Sequence, residues 1–207
     1  KRNNMTSNRD ILEFFAGSRE QIIERIRELP MEYHGTISFI ESERQGLSVL
    51  STVMQKIHFL DYIIDAQGDF SFKDYIRNEK DNRSLFLLNL TQFKLVFKPM
   101  LTFAINIMIR EVLSLDDDPE RRIFFIIDEF GSLFKMDSVI SFLKEARSKG
   151  GALIAGNQDL GDITRIYGKD LKATFYNNFN SNFIFRVNDP DTADFLSRAI
   201  GDAEVYK

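Results

Sequence analysis

Asp128 and Glu129 close the most apolar run of the chain, Ile123-Phe124-Phe125-Ile126-Ile127. A run of that kind suits a buried parallel strand, and ligands of parallel α/β sheets bind beyond the carboxyl ends of the strands. A carboxylate there, Asp128, can hold Mg²⁺, a hard cation that takes oxygen ligands and keeps several waters. The next carboxylate, Glu129, points elsewhere and can act as a base that orients a water towards a γ-phosphate. Such hydrolysis is mostly positioning and charge stabilisation. The same acidic pair also suits a plain strand-ending turn. Ala152 to Ala155 forms a second apolar run and is followed by Gly156-Asn157-Gln158-Asp159. Gly-Asn is good turn chemistry, but Gln158 has no turn preference. If the two strands adjoin, its amide lies beside the acidic pair and can sense a phosphate or hold the lytic water. Arg147 and Lys149 end the intervening helical pattern, where cations favour a helix C-terminus; an arginine there can also reach a phosphate across a subunit boundary. Arg186 ends a further apolar run, Asn182 to Arg186.

A phosphate cradle is missing from the chain. No G-x-x-x-x-G-K-[ST] occurs in it. Gly156 to Gly161 has the glycine spacing, but Asp162 stands where Lys is needed. Gly161 to Gly168 precedes Lys169, but at a spacing two residues too long, and Asp170 replaces the Ser or Thr. Acids at those places repel phosphate. The chain alone is therefore not expected to bind ATP tightly, and its two carboxylates read as half of a site.

The elements that must position these residues alternate. Up to about residue 65 the chain reads as helices only. Ser18 to Gln21 forms a capping box, followed by Ile22, Ile23, Ile26 and Leu29 on one face, and Pro30 ends the run. A longer pattern holds Ile37, Ile40, Leu47, Leu50, Met54 and Ile57 at three- and four-residue steps. Beyond Ser71 come an apolar run at Leu85 to Leu90, bounded by Asp81-Asn82-Arg83, and a helical face of Leu101, Ala104, Ile105, Met108, Ile109 and Val112 with Pro99 near its start. The strand at Ile123 to Ile127 follows, then a helix at Ser138 to Arg147 closed by Gly150-Gly151, the strand at Ala152 to Ala155, and a fourth strand at Asn182 to Arg186. Asp189-Pro190 caps a last helix that stops at Gly201. Continuously apolar strands alternating with helices predict an α/β parallel sheet with helices on both faces. The expected domains are an all-α part over 1–66 and the sheet domain over 67–207.

Bulk composition narrows the classes. The chain has 207 residues, no cysteine and a net charge of −4, which excludes disulfides and thiolate metal sites. An acidic chain is no whole-surface nucleic-acid binder, so any DNA contact is local. Residues 1–65 carry 8 Lys+Arg against 10 Asp+Glu, a net of 8 − 10 = −2. His34 and His58 lack metal-ligand spacing. No apolar stretch approaches the roughly 20 residues of a membrane helix, and no signal peptide is legible. Beginning at Lys1 rather than Met, the chain reads as a piece of something longer.

Taken together, FFIIDEFGSLFKMDSVISFLKEARSKGGALIAGNQDL and FIFRVNDPDTADFLSRAIGD, within Ile123 to Lys207, resemble the TraD/TraG-type (VirD-type) coupling proteins of conjugation and type IV secretion. The joint order of DEF-G-S-L, A-R-S-K-G, G-x-Q-D-L and R-V-x-D-P-x-T-A carries the resemblance. Ser84 to Asn89 resembles the family's strand before the Walker B strand, and the helical segment resembles its all-α domain. The resemblance implies a RecA-like P-loop NTPase motor with ATP and Mg²⁺ as cofactors, in a homo-oligomeric ring, a hexamer, with ATP sites between subunits. It places Asp128 and Glu129 in the Walker B roles and Gln158 as γ-phosphate sensor. Arg147 matches the arginine that reaches a neighbour's nucleotide, with Arg186 a second candidate. It further implies single- or double-stranded DNA, relaxase and relaxosome proteins and the secretion channel as partners, at the cytoplasmic face of the bacterial inner membrane. The Walker A loop and the membrane anchor are absent, so this soluble piece alone is expected to be inactive as an ATPase. The slight acidity of the helical part favours contact with a relaxase or accessory protein, or a role in shaping the channel mouth. The alternatives are a related ring translocase, of the chromosome-segregation or VirB type, and a non-catalytic module that docks secretion substrates.

Overall fold

The computed structural model describes residues 7–78 and 84–201, without the side chains of residues 170–173. The expected boundary at Asp81-Asn82-Arg83 and the tail from Asp202 to Lys207 lie outside the described residues. The backbone divides into two compact units, residues 1–69 with 89–100, and residues 70–88 with 101–207.

The first unit is helical throughout its described residues. Helix α1 (Asn8–Phe15) starts on a capping box of Ser7 and Asp10, and α2 (Arg19–Arg27) on one of Ser18 and Gln21. Each box satisfies two of the amides that a helix start leaves orphaned. The long three- and four-residue pattern is split in two, because Ser42 is extended (ψ 127°) between α3 (Ile37–Ile40) and α4 (Glu43–Ile57). Gly46 makes that corner possible: a Cβ there would stand 2.3 Å from the Ile40 carbonyl oxygen. Ile22, Ile26 and Ile40 are the buried centre, with Phe14, Ile23, Ile37 and Leu50 packed around them. Leu47, at 57% exposure, lies outside that core although it shares the periodicity.

In the second unit, short α5 (Phe72–Arg77) precedes the 20-residue α6 (Lys94–Leu113), whose residues up to Met100 belong to the first unit. Leu101, Ala104, Ile105, Met108, Ile109 and Val112 are all buried, as their spacing predicts. Pro99 is the sixth residue of α6, not a first-turn residue, so the helix carries it at the cost of one backbone hydrogen bond. Strand β1 (Ile123–Ile127) pairs in parallel with β2 (Gly151–Ala155), with Ile123 opposite Gly151 and Ile127 opposite Ala155. Between them runs α7 (Asp137–Glu145), then α8 (Leu160–Tyr167), α9 (Lys169–Asn177) and α10 (Pro190–Ile200) follow. Helix α10 starts on Asp189, with Pro190 in its first turn, and stops at Gly201, φ 81°.

Two expected strands are corrected. Residues 85–90 and 182–186 join no ladder; the sheet of the described residues has two strands. A strand exists only where a neighbour takes its backbone groups, and Phe86, Leu88, Phe183 and Phe185 stand more than 70% exposed. Among the described residues the sheet is likewise covered on one face only. Phe125 packs edge-on to Phe142 of α7 at 5.3 Å, while Phe124, Ile126 and Ile154 face outwards. No helix among the described residues is long and apolar enough to cross a membrane.

Candidate nucleotide-side turn

Because the strands are parallel and in register, Asp128 and Gly156 leave the sheet side by side at its carboxyl edge. Gly156 donates to the Ile127 carbonyl at 2.8 Å, and Phe130 donates to the Gly156 carbonyl at 2.9 Å. A Cβ on Gly156 would lie 2.3 Å from the Asp128 carbonyl oxygen. Only glycine lets the two chain ends approach so closely.

Each residue after Asp128 has a distinct task. Asp128 is exposed and Glu129 half-buried at this edge. Phe130 is 1% exposed and sits on Tyr167, ring planes 17° apart, and on Phe175 at 5.1 Å. That aromatic anchor fixes the turn from below. The Tyr167 hydroxyl accepts the Met136 amide at 3.3 Å, and burial raises its pKa above that of an ordinary phenol. Gly131 faces Asn157 and Asp162, with no space for a Cβ: either would be 2.7 Å away. The Ser132 hydroxyl donates to the Glu129 carbonyl at 2.7 Å, closing a single 3₁₀ turn at residues 130–132. The D-E-F-G-S order is thus a packing specification as well as a charge pattern.

The tip of β2 is tied to this turn. Asn157 Oδ1 accepts the Gly131 amide at 3.0 Å, while its Nδ2 donates to the Asp159 carbonyl. Asp159 caps α8 by accepting the Asp162 amide at 3.1 Å. Gln158 stands exposed between these two tethered residues. Asn157 reads from sequence as turn chemistry. Its bridge to Gly131 spans 26 residues, and nothing local in the sequence announces it.

Arg147 lies elsewhere. It follows α7 and precedes β2, hence sits exposed at the amino edge of the sheet. Five strand residues, about 16 Å of extended chain, separate that edge from Asp128. Within one chain Arg147 does not join the acidic turn. Its neighbour Lys149 has a structural post, donating to the Leu115 carbonyl at 2.5 Å and pairing with Asp117 at 3.4 Å. The Ser148 hydroxyl, and then Lys149, hold the Asp117 carboxyl below its ordinary pKa. Arg186 is exposed in the segment before α10, three residues ahead of the Asp189 cap. His34 bonds the Leu29 carbonyl and His58 pairs with Asp61.

Residues 2–207 match the family described as the type IV secretion-system coupling protein DNA-binding domain. The chain belongs to this coupling-protein family. It is 28% identical over 163 residues to coupling protein TraD of Escherichia coli (strain K12), covering 77% of the chain and 23% of TraD. The coupling-protein fold is also that of solved structures at 20% identity. Plasmid coupling protein TrwB in complex with ADP and Mg²⁺ gives a TM-score of 0.72 over 86% of this chain and 42% of that one. TrwB with the non-hydrolysable GTP analogue GDPNP gives 0.75 over 94% and 47%. The chain therefore spans about a quarter of TraD and under half of the TrwB chains. The shared architecture is an α/β fold with a parallel sheet flanked by helices.

Proposed function

We propose that this chain supplies the Walker B half of a conjugation coupling ATPase, over 67–207, together with its all-α substrate-facing part, over 1–66. The observation that carries the reading is the joint exit of Asp128-Glu129 and Gly156-Asn157-Gln158 at one edge of a parallel sheet. Asp128 suits Mg²⁺, which in nucleotide sites takes one or two carboxylates and completes its shell with phosphate and water oxygens. Its carboxylate is exposed at the mouth of the sheet, where such a shell has room. Glu129, half-buried on a turn locked from below, orients the attacking water and takes up its proton. Gln158 reads the γ-phosphate from the neighbouring tip. ATP and Mg²⁺ are accordingly the cofactors, as the ADP and Mg²⁺ of the TrwB complex suggest.

Arg147, at the opposite edge, serves a neighbouring subunit's nucleotide, and Arg186 is the second candidate for that task. Their separation from the acidic turn favours a ring, of hexamer size, with sites between subunits. Such a motor delivers single- or double-stranded DNA, with its relaxase, or protein substrates to the secretion channel, at the cytoplasmic face of the bacterial inner membrane. The phosphate-binding loop is not in these residues, so this chain alone does not turn over ATP.

The test joins the chain to a phosphate-binding half and measures ATP turnover with and without single-stranded DNA. DNA-stimulated turnover is expected there, and none from the 207 residues alone. Mixing Arg147→Ala subunits with Glu129→Gln subunits should restore part of the activity, since mixed interfaces of one of their two orders hold a complete site. No recovery at any ratio would count against the arginine acting across the boundary.

A further inference from the structure

Hydrogen bonds tie the acidic turn to the Gln158 tip, and the backbone of the first turn of α8 carries the link on to the start of α10. Gly131 donates to Asn157 Oδ1 at 3.0 Å, Asn157 Nδ2 donates to the Asp159 carbonyl, and Asp159 Oδ1 accepts the Asp162 amide at 3.1 Å. The next amide but one on the way back, that of Leu160, is held at 3.1 Å not by a cap of its own helix but by Thr192 Oγ1 from α10. Thr192 in turn donates its amide to Asp189 Oδ2 at 2.8 Å. Thr192 is only 3% exposed. A buried hydroxyl spent on another helix's first turn is costly to misplace, so α8 and α10 start in a fixed relation. Arg186 lies three residues before Asp189.

We infer that Thr192 and Asn157 are positioning residues, which hold the Arg186 segment in register with the Gln158 tip and so couple the nucleotide state read at one site to the arginine offered to the next. This rests on the motor reading above. The physical part stands apart from it: a bracket that moves as a unit transmits displacement from residue 131 to residue 189, whereas separate caps would not.

The test uses amide hydrogen exchange on the 207-residue chain. Thr192→Val keeps the shape and removes the acceptor, and Thr192→Ser restores it. Thr192→Val should speed exchange about tenfold at Leu160, its direct partner, and also at Gly131, the far end of the bracket. Thr192→Ser should return both amides to the parent rate. Acceleration confined to Leu160 would mean a local cap and overturn the coupling. If Thr192→Val fails to fold, Asn157→Ala reports from the exposed side: a faster Leu160 amide supports the bracket and an unchanged one overturns it. In the ATPase-competent protein, Thr192→Val should lower kcat about tenfold with KM for ATP within about twofold, since misplacement costs turnover more than binding. An unchanged kcat there would overturn the coupling. Full turnover in Glu129→Gln would instead overturn the motor reading, while the exchange result would still decide whether the bracket exists.

Discussion

Gly156 and Phe130 fix the acidic turn from two sides, and each gives a prediction at the scale of one residue. Gly156→Ala would set a methyl 2.3 Å from the Asp128 carbonyl oxygen. Backbone cannot yield as a flexible side chain can, so a loss of about 1–3 kcal/mol in urea unfolding is expected, with Asp128 displaced from its place beside the tip. Phe130→Ala removes an anchor that is 1% exposed, and should cost about 3–5 kcal/mol by the same measurement. Stability unchanged by either substitution would show that the turn is not built as described. Asp128, Glu129 and Gln158 were conspicuous in the sequence because polar residues end two apolar runs. Asn157 was not, because its partner Gly131 is remote in the chain and Gly-Asn passes for an ordinary turn.

Among the elements, the amino edge of the sheet is held by the segment at residues 115–122 against the loop at residues 146–151. Asp118 donates to the Ser148 carbonyl at 2.9 Å, Ile123 to the Gly150 carbonyl at 2.8 Å, and Arg121 to the Asp116 carbonyl at 2.7 Å. Gly150 sits at φ 77°, where a Cβ would also meet the Arg121 carbonyl oxygen at 2.3 Å. Gly150→Ala is expected to cost at least about 1–2 kcal/mol, from the left-handed backbone alone. Asp117 adds a pH dependence. Its folded pKa is lowered by the Ser148 hydroxyl and Lys149, so its contribution is present above the ordinary carboxylate pKa and is lost as pH falls through the lowered one. Urea midpoints of the parent should therefore exceed those of Asp117→Asn at neutral pH and converge with them in strong acid. A gap that persists in strong acid would contradict the assignment. The helical face of α6 was legible because three- and four-residue spacing needs no knowledge of the partner. The runs at residues 85–90 and 182–186 were misread as strands because apolarity suits a strand, while pairing depends on backbone far away in sequence.

For the whole molecule, charge and family set different expectations. The chain carries a net charge of −4, yet belongs to a family described by DNA binding. Affinity for DNA grows with the number of phosphates neutralised and falls with salt accordingly. The chain alone should therefore bind DNA weakly and with a shallow salt slope; tight binding with a steep slope would reveal a basic surface that the acidic balance argues against. The α/β class was readable from alternating apolar runs and helices, whereas the open face of Phe124, Ile126 and Ile154 was not, since those side chains look as core-like as Phe125. What matters most for the whole molecule is the proposed role of the Asp128-Glu129 turn as the hydrolytic half of an ATP site. Its most direct test is Glu129→Gln in the ATPase-competent protein, with ATP affinity and steady-state turnover measured on the same preparation. Affinity should stay within about twofold of the parent while turnover falls by about 10²–10⁴-fold, the range of a lost general base; turnover equal to the parent at saturating ATP would show that Glu129 is not that base.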